Sequence, residues 1–477
     1  MLLPTYPTPA SMLRRLASTS HARRAADARV YWSHALDEGA RFELGDPEVE
    51  DALAAARVLL LSCRERRGSD WLPIGGPFHY RDVWLRDGAR LIAALSVAGH
   101  TKEARAMTAG FMRFQWPQGA FMSQRGQPDG TGEALWTFEQ ALLRPSPSES
   151  LARYVDAADK AWRWYEWQRD FGRKSGWPFG VMLPYADPRD GELTVAQMVG
   201  TDAWALAAYR ATARLLRAAH RDSEAAAVER SRARYVADFE SALEHTKSRD
   251  VPPSWQGVGR DWGNLAVGWP CAALPADHPR LLALARRAWS EAGQVGLVTY
   301  GHRDSLHGYV GADLGTWALL AGHRAEADSV LEALLHWRNA SGAAAEMFSR
   351  ARDFGRNLPP HPTSAAALIA LTRNALLFDD GDTLALTLGA RERWWRGATI
   401  RRAPTRFGLV DLRFRREGDA ATWSWTPVAV WTSLTLPPGT ILASPPPAPL
   451  VRRSDTVVLA PPRTGEARVA VRALGRR

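Results

Sequence analysis

Apolar residues at helical spacing run through the chain from residue 47 to about residue 378. They recur every three to four positions, which is the period of one buried face of an α-helix. Loops rich in Gly, Pro and Trp interrupt this pattern. The pattern predicts helices over residues 46–66, 82–98, 102–115, 133–143, 149–171, 200–219, 222–246, 262–273, 278–292, 309–321, 324–338 and 362–377.

The loops between these helices alternate between long and short. A loop of roughly 15 to 27 residues precedes each even-numbered helix and roughly two to six residues follow it, although loops longer than about 12 residues are uncommon. Even-numbered helices such as 200–219 are apolar all round, whereas odd-numbered ones such as 222–246 carry a charged face. We therefore predict an all-α (α/α)6 toroid of six helical hairpins. An open solenoid would instead show a fixed repeat of about 34–45 residues.

The pattern changes after the last predicted helix, where apolar residues begin to alternate with polar ones. Residues 383–388, 406–414, 421–425 and 467–471 have this two-residue period, which is typical of strands. We therefore predict three parts. They are an N-terminal extension (1–46), an (α/α)6-barrel catalytic domain (47–378) and a small antiparallel β-domain with Pro-rich turns (379–477).

Charge and cysteine content exclude several classes of protein. The formal net charge is +10, but the basic residues are scattered between acids, so we expect no nucleic-acid partner. The two cysteines, Cys63 and Cys271, lie far apart in apolar segments and predict neither a disulfide nor a metal site. We see no secretory signal and no membrane-spanning run, so we expect a cytoplasmic protein without a membrane partner. The oligomeric state cannot be predicted from the sequence.

Acids and tryptophans concentrate at the predicted starts of the even-numbered helices. In a barrel of this kind these starts and the long loops converge on one cavity. Carboxylates can act there as general acid and base, and indole rings can stack on the C–H faces of a sugar. The polar residues at these positions are Trp84, Arg86, Asp87, Asp129, Glu133, Asp187, Asp190, Glu192, Asp202, Trp255, Arg260, Asp261, Trp262, Asn264, His302, Arg303, Asp304, His307, Glu346, Arg350, Asp353 and His361.

Two motifs resemble those of six-hairpin glycosidases, the group of glucoamylases, trehalases and glycogen-debranching enzymes. The run Trp84-Leu85-Arg86-Asp87 is similar to their W-x-R-D signature, whose Arg-Asp pair holds sugar hydroxyls in the innermost subsite. The segments 180–184 and 200–206 are similar to a second stretch, G-L-x-P followed by D-x-x-W-A-L. Residues 389–411 resemble the β-cap of some bacterial relatives. The chain lacks the Glu-Glu pair of glucoamylases and the Trp-Asp pair of trehalases.

This resemblance implies an inverting glycoside hydrolase that acts on an α-linked gluco-oligosaccharide or a related glycoside. Such enzymes take the general base from the loop before the sixth inner helix, where Glu346 lies in an apolar setting. They take the general acid from near the third inner helix, which offers Asp202 or, failing it, Glu192. We expect no cofactor and no metal. The expected substrate-binding residues are Tyr80, Trp84, Arg86, Asp87, Asp129, Trp255, Asp261, Trp262, His302, Asp304 and His361.

Several of these assignments have alternatives. In the alternative for Arg86 and Asp87, the two form a structural ion pair at a helix start. In the alternatives for the two acids, Asp202 only balances a helix dipole, and Glu346 is a loop acid in solvent. A same-fold epimerase or polysaccharide lyase would use His or Tyr near the sugar, for which His302, His307 and Tyr300 are available. A third possibility is an inactive carbohydrate-binding protein. The tryptophans at 162, 164 and 167 have helical spacing and are expected in the core.

Overall fold

The computed structural model describes residues 9–474 except 79, 125, 146–149, 186–194, 294, 300–303 and 354–358. Thirteen α-helices lie in these residues. They are α1 (Ala10–Ala17), α2 (His21–Glu38), α3 (Pro47–Ser62), α4 (Leu85–Val97), α5 (Thr101–Phe111), α6 (Gly130–Leu142), α7 (Ala152–Lys174), α8 (Val199–Ala218), α9 (Asp222–His245), α10 (Pro279–Ala292), α11 (Val310–Leu320), α12 (Arg324–Trp337) and α13 (Pro362–Leu376).

The inner helices form a closed ring. In order around it, α4 packs against α6, α6 against α8, α8 against a short 3₁₀ turn at Gly263–Ala266, this turn against α11, α11 against α13, and α13 again against α4. Every residue of α6 is buried, as an inner helix requires. Outer helices cover the ring; α3, for example, packs on α13 and α4. The closed ring confirms the predicted (α/α)6 toroid and excludes the open solenoid.

The fourth inner element differs from the prediction. We expected a helix over residues 262–273, but only the 3₁₀ turn Gly263–Ala266 forms there. Gly268 and Pro270 both disfavour a longer helix, since glycine is too flexible and proline has no backbone N–H to donate. The turn also approaches α8 very closely, because a Cβ placed on Gly200 would lie 2.5 Å from the Cα of Gly263. A side chain at either position would push the turn away from the ring.

The described part of the N-terminal extension, residues 9–46, contains regular structure. It forms α1, α2 and the strand β1 (Arg41–Glu43), and β1 pairs antiparallel with β8 (Ala398–Thr405) of the C-terminal region. At the start of the barrel, Asp46 accepts a hydrogen bond of 2.9 Å from the indole of Trp394. Residues 41–46 therefore join the barrel to the C-terminal sheets.

The C-terminal region contains two sheets. The strands are β6 (Leu377–Phe378), β7 (Leu384–Leu386), β9 (Gly408–Glu417), β10 (Ala420–Trp425), β11 (Thr432–Thr435), β12 (Thr440–Leu442), β13 (Val451–Arg452), β14 (Val457–Ala460) and β15 (Glu466–Ala473). One sheet has the order β1-β8-β9-β10-β15-β12 and the other β13-β14-β11-β7-β6. The pairing is antiparallel as predicted, except that β11 and β7 are parallel.

Two small two-stranded sheets lie in the loops of the barrel. The strand β2 (Arg64–Arg67) pairs with β3 (Asp70–Pro73), and β4 (Ser305–His307) pairs with β5 (Met347–Ser349). The second pair joins the loops before the fifth and sixth inner helices, and this brings Glu346 next to Gly308. Among the described residues, none of the helices is both long and apolar enough to cross a bilayer.

Candidate active site

A buried ion pair connects the starts of two inner helices. Arg86, in the first turn of α4, donates to both carboxylate oxygens of Asp129 at 3.0 and 3.2 Å, immediately before α6. The guanidinium carbon also lies 5.0 Å from the centre of the Trp262 ring. Two parallel hydrogen bonds fix a guanidinium in one orientation. Arg86 and Asp129 therefore provide a rigid wall at the end of the barrel where the long loops meet.

A second ion pair lies one helical turn deeper. Arg90 of α4 donates to both oxygens of Asp313 of α11, each at 2.8 Å. Its guanidinium carbon lies 5.1 Å from the centre of the Tyr309 ring and 5.9 Å from that of Trp204. Leaving either charge without its partner would strongly destabilise the fold, since a buried unpaired charge is costly. This pair connects α4 to α11 beneath the candidate site.

Two carboxyl groups and an imidazole form the centre of the site. The ligand atoms of Asp87, Glu346 and His361 all lie within 4.8 Å of one another, and His361 Nε2 is 3.8 Å from Glu346 Oε2. Backbone hydrogen bonds hold the two loop residues, from Gly308 N to the Glu346 oxygen at 2.6 Å and from His361 N to the Ala344 oxygen at 2.9 Å. The site thus combines the first turn of α4 with the loop before α13.

Burial controls the protonation of Asp87. It raises the pKa of this carboxyl from 3.8 to about 6, while the nearby His361 lowers the pKa and Glu346 raises it. A carboxyl with a pKa near 6 is mostly ionised at neutral pH. Asp87 can therefore accept a hydrogen bond from a hydroxyl group of a ligand.

Tyr309 stands among the aromatic rings of the site. Its ring centre is 4.7 Å from His307, 6.0 Å from Trp262 and 6.4 Å from His361, whose ring is parallel to it. Burial, and then the charges of Asp87 and Glu346, raise the pKa of this phenol well above 10. The hydroxyl is buried and has no hydrogen-bond partner among the residues that the structure describes. It therefore remains protonated and has a hydrogen bond to offer to a ligand.

Glu133 lies buried in the first turn of α6. Burial raises its pKa well above 4.5, and the neighbouring Asp129 raises it further, against the opposing effects of Arg86 and Arg90. The side chain of Gln127 donates to it at 3.3 Å. Glu133 can thus donate a proton or a hydrogen bond near the Arg86–Asp129 pair.

Asp202 lies away from this cluster, between α8 and the outer helix α9. Its carboxylate accepts hydrogen bonds from Leu183 N at 2.9 Å, from Trp255 Nε1 at 2.7 Å and from the hydroxyl of Tyr235. Burial raises its pKa to about 6, and the bonds from Trp255 and Tyr235 oppose this rise. Asp202 and Trp255 are both fully buried, and these bonds fix two long loops to α8. Neither residue belongs to the group around Glu346.

Other expected site residues are divided between the cluster and its surroundings. The ring of Tyr80 lies 5.8 Å from His361, so it belongs to the cluster. Trp84 is half-buried at the start of α4, and its indole N–H has no hydrogen-bond partner in the described part of the chain. Asp261 instead pairs with Arg287 of α10 at 2.6 and 3.1 Å, outside the cluster.

Three further expectations concern loop residues. Asp304 is exposed, and its backbone oxygen accepts a hydrogen bond of 3.3 Å from Arg350 N. Glu192, the second candidate for the general acid, and His302, an expected substrate contact, lie outside the described residues.

Sequence reasoning did not assign a role to Arg90, Asp313 or Tyr309. A helical signal was available for the first, because Arg90 lies four residues after Arg86 and therefore on the same face of α4. Asp313 lies in the first turn of an inner helix, as Asp87 does. Tyr309 was recognised only as a helix start, since a single tyrosine carries no spacing signal.

The cluster also has the composition of a possible cation site. Asp87, Glu346 and His361 offer two carboxylates and one imidazole, which are ligands that suit several divalent metals. The sequence predicts no metal, and that remains a prediction.

No model of a known protein family matches this chain, and no curated protein matches it by sequence. Solved structures do match. A glycosidase in complex with glucose is 18% identical, with a TM-score of 0.53 over 72% of this chain and 98% of that one. A bacterial glucoamylase complexed with acarbose is 12% identical, with a TM-score of 0.53 over 76% and 60%. An α-L-rhamnosidase from Dictyoglumus thermophilum is 10% identical, with a TM-score of 0.56 over 91% and 50%.

These similarities establish the fold. The chain has the six-hairpin barrel found in glycosidases, glucoamylase and α-L-rhamnosidase, which confirms the fold implied by the W-x-R-D resemblance. Identities of 10–18% carry no information on substrate or mechanism. The activity must be argued from the site itself.

Proposed function

We propose that this protein is an inverting glycoside hydrolase that acts on an α-linked gluco-oligosaccharide or a related glycoside. One observation supports this most strongly. Asp87, Glu346 and His361 meet at the long-loop end of the barrel, close to the aromatic rings of Tyr309, Tyr80 and Trp262. Carboxylates beside flat aromatic rings suit the hydrolysis of a pyranoside. The glucose and acarbose bound to two structural neighbours are consistent with a carbohydrate substrate.

In the proposed mechanism Glu346 is the general base. Its carboxylate takes a proton from the attacking water, so it must be ionised when the substrate is bound. His361, 3.8 Å from Glu346, favours this ionised form whenever the imidazole is protonated. Asp87 accepts hydrogen bonds from sugar hydroxyls. The ligand atoms of Asp87 and Glu346 lie within 4.8 Å of each other. An inverting pair is about 6.5–9.5 Å apart, so the general acid must be another residue.

The general acid is proposed to be Glu192, the second of the two candidates from sequence. Asp202 is poorly suited, because both of its oxygens accept hydrogen bonds within the fold, so that at least one donor would have to be displaced before it could give a proton to a leaving group. Glu133 is a further candidate, since burial raises its pKa and so favours its protonated form. Opposite Glu346, a protonated carboxyl would complete the pair that inversion requires.

A panel of aryl glycosides tests the activity. We expect hydrolysis of at least one α-glucoside or related glycoside, and proton NMR should show that the first product has the inverted anomeric configuration. Each assay is run with and without EDTA, so that any dependence on a cation is detected. Absence of hydrolysis across the panel would contradict the glycosidase assignment, and a retained configuration would contradict inversion.

A same-fold epimerase or lyase is the second candidate. The histidine and tyrosine side chains around Asp87 favour it, because such enzymes use His or Tyr near the sugar ring. His307 is available for such a role, because its ring lies 4.6 Å from that of Trp262 and 4.7 Å from that of Tyr309, while burial, with a further contribution from His361, lowers its pKa. An unsaturated or epimerised product without any hydrolysis would identify this activity.

We predict that Tyr309→Phe lowers kcat/KM about 2- to 10-fold, which is the effect of losing one neutral hydrogen bond of about 0.5–1.5 kcal/mol. Stability to urea should be unchanged or slightly greater, because the missing hydroxyl is buried without a partner in the described structure. A clear loss of stability with unchanged kcat/KM would show that the hydroxyl has a structural role. Tyr165→Phe, which removes a buried tyrosine hydroxyl from the outer helix α7, is the matched control.

A further inference from the structure

Four aromatic side chains form a row on the outside of the barrel. Consecutive ring centres are 6.1 Å apart from Trp167 to Phe171, 5.7 Å from Phe171 to Trp177 and 6.0 Å from Trp177 to Tyr185. We call these four residues the aromatic row. Trp167 and Phe171 lie one turn apart on α7, and the other two belong to the loop that follows this helix.

The row is exposed to solvent. Trp167 is 56% exposed, Phe171 47% and Tyr185 40%, and Trp177 is half-buried. The expectation that the α7 tryptophans lie in the core is therefore wrong for Trp167, although Trp162 and Trp164 do pack partly against the core. Contiguous exposed aromatic residues are unusual and commonly mark a binding surface.

The row leads into a polar cleft next to the active-site loops. At its end, the hydroxyl of Tyr185 accepts a hydrogen bond of 3.5 Å from Gln256. Gln256 also lines an open cleft of about 1,320 Å³, together with Arg260, Asp261 and Arg287. The same long loop continues to Trp262, which contacts Arg86 in the candidate active site. One loop therefore lines the cleft and also reaches the candidate active site.

The chemistry of this surface identifies the class of ligand. Flat rings bind the C–H faces of sugars, and the amide and charged groups of the cleft can bind their hydroxyls. A protein interface would instead have a core depleted in charged side chains. Lys174 and Asp170, an ion pair of 2.5 Å, place further hydrogen-bonding groups on the helix that carries Trp167 and Phe171. A hydroxyl-rich chain fits this alternation of rings and polar groups better than an apolar partner does.

We propose that the aromatic row and the adjoining cleft form a surface site for a neutral glycan chain, which holds a long substrate beside the mouth of the barrel. The proposal rests on the proposed glycosidase function only in taking the bound glycan to be the substrate of the active site. It implies that the natural substrate is an oligosaccharide or polysaccharide longer than the few sugars that the cluster around Glu346 can contact.

Native affinity electrophoresis of the full chain tests the site without any turnover. Gels contain soluble starch, hydroxyethylcellulose or galactomannan, and we expect at least one of them to retard the protein. Trp167→Ala and Tyr185→Ala should each weaken that binding about 2- to 10-fold, as the loss of one aromatic stacking contact of about 0.5–1.5 kcal/mol predicts. The matched control is Trp431→Ala, which removes a tryptophan that is 43% exposed in the C-terminal region. It should bind like the wild type.

Three outcomes would overturn the proposal. The first is that none of the polysaccharides retards the protein. The second is that the wild type and both row variants are retarded equally. The third is that Trp167→Ala loses self-association in sedimentation, which would show that the row is a contact between copies of the chain. Thermal melting of each variant checks that it is folded. Because retardation needs no hydrolysis, failure of the aryl-glycoside panel would contradict the active-site assignment and leave this test valid.

Discussion

Replacing Glu346 by Gln is expected to lower kcat by about 10²- to 10⁴-fold, the usual contribution of a general base. Gln has nearly the same shape but cannot accept the proton of the attacking water. Binding of substrate should change little, because the amide can still make hydrogen bonds to water and sugar. We would measure kcat and KM on the best substrate of the aryl-glycoside panel, and binding by isothermal titration calorimetry with the same substrate.

Asp353→Asn is the matched control for Glu346→Gln. Asp353 lies in the same long loop, but it is exposed, and its backbone N–H is bonded to Ser349 Oγ at 3.0 Å. We expect this variant to keep wild-type kcat. If Asp353→Asn lost activity and Glu346→Gln kept it, the base would be Asp353 and the position of Glu346 beside Asp87 would have another purpose.

The architecture of the barrel could be predicted because it depends on strongly periodic features. Apolar residues at helical spacing define the inner helices, and loop length distinguishes the two ends. The predicted helix over residues 262–273 does not form, and the reason is not periodic. There the close approach of Gly263 to Gly200 decides the structure, and such a contact between distant residues leaves no periodic signal. The pairing of β1 with β8 is equally non-local, because it joins residues some 360 positions apart.

The candidate site was predictable only where one helix turn carries several of its groups. Arg86 and Asp87 are adjacent in sequence and both face the site, as the W-x-R-D resemblance implies. Asp202 occupies the corresponding place in the first turn of α8 and looks equivalent in sequence. Its surroundings differ, because Tyr235 and Trp255 reach it from an outer helix and a long loop. These tertiary contacts determine that Asp202, unlike Asp87, is bonded to an indole N–H.

Asp87→Asn is expected to raise the stability of the protein at high pH. In the folded chain burial raises the pKa of Asp87 from 3.8 to about 6, so the fold favours the neutral carboxyl. Above pH 6 the ionised carboxylate therefore costs folding free energy, about 3 kcal/mol for this pKa difference. The cost decreases as the pH falls through 6 and is gone below about pH 4, where the folded and unfolded forms are both protonated. Asn carries no charge and avoids this cost.

Urea unfolding at pH 8 and pH 4.5 measures this difference. We expect Asp87→Asn to exceed the wild type in unfolding free energy at pH 8, with the gap mostly closed at pH 4.5. A variant less stable than the wild type at pH 8 would show that Asp87 serves mainly as a structural partner of Arg86 or Arg90. In that case its proposed contact with the sugar would lose its support.

The activity of Asp87→Asn should change in the opposite direction to its stability. We expect kcat/KM to fall roughly 10- to 150-fold, as the loss of a charge-assisted hydrogen bond of about 1.5–3 kcal/mol predicts. Asp202→Asn is the matched control, because Asp202 is equally buried and its pKa is also about 6. There the loss of the charge would also remove the cost of a buried carboxylate, but the amide N–H₂ would face a donor such as Trp255 Nε1, at a cost of about 1–3 kcal/mol. The gain in stability at pH 8 should therefore be smaller than for Asp87→Asn or absent, while activity per folded molecule is kept. If Asp202→Asn instead lost turnover while it stayed folded, Asp202 would be the general acid despite its three hydrogen bonds, and Glu192 would not be needed.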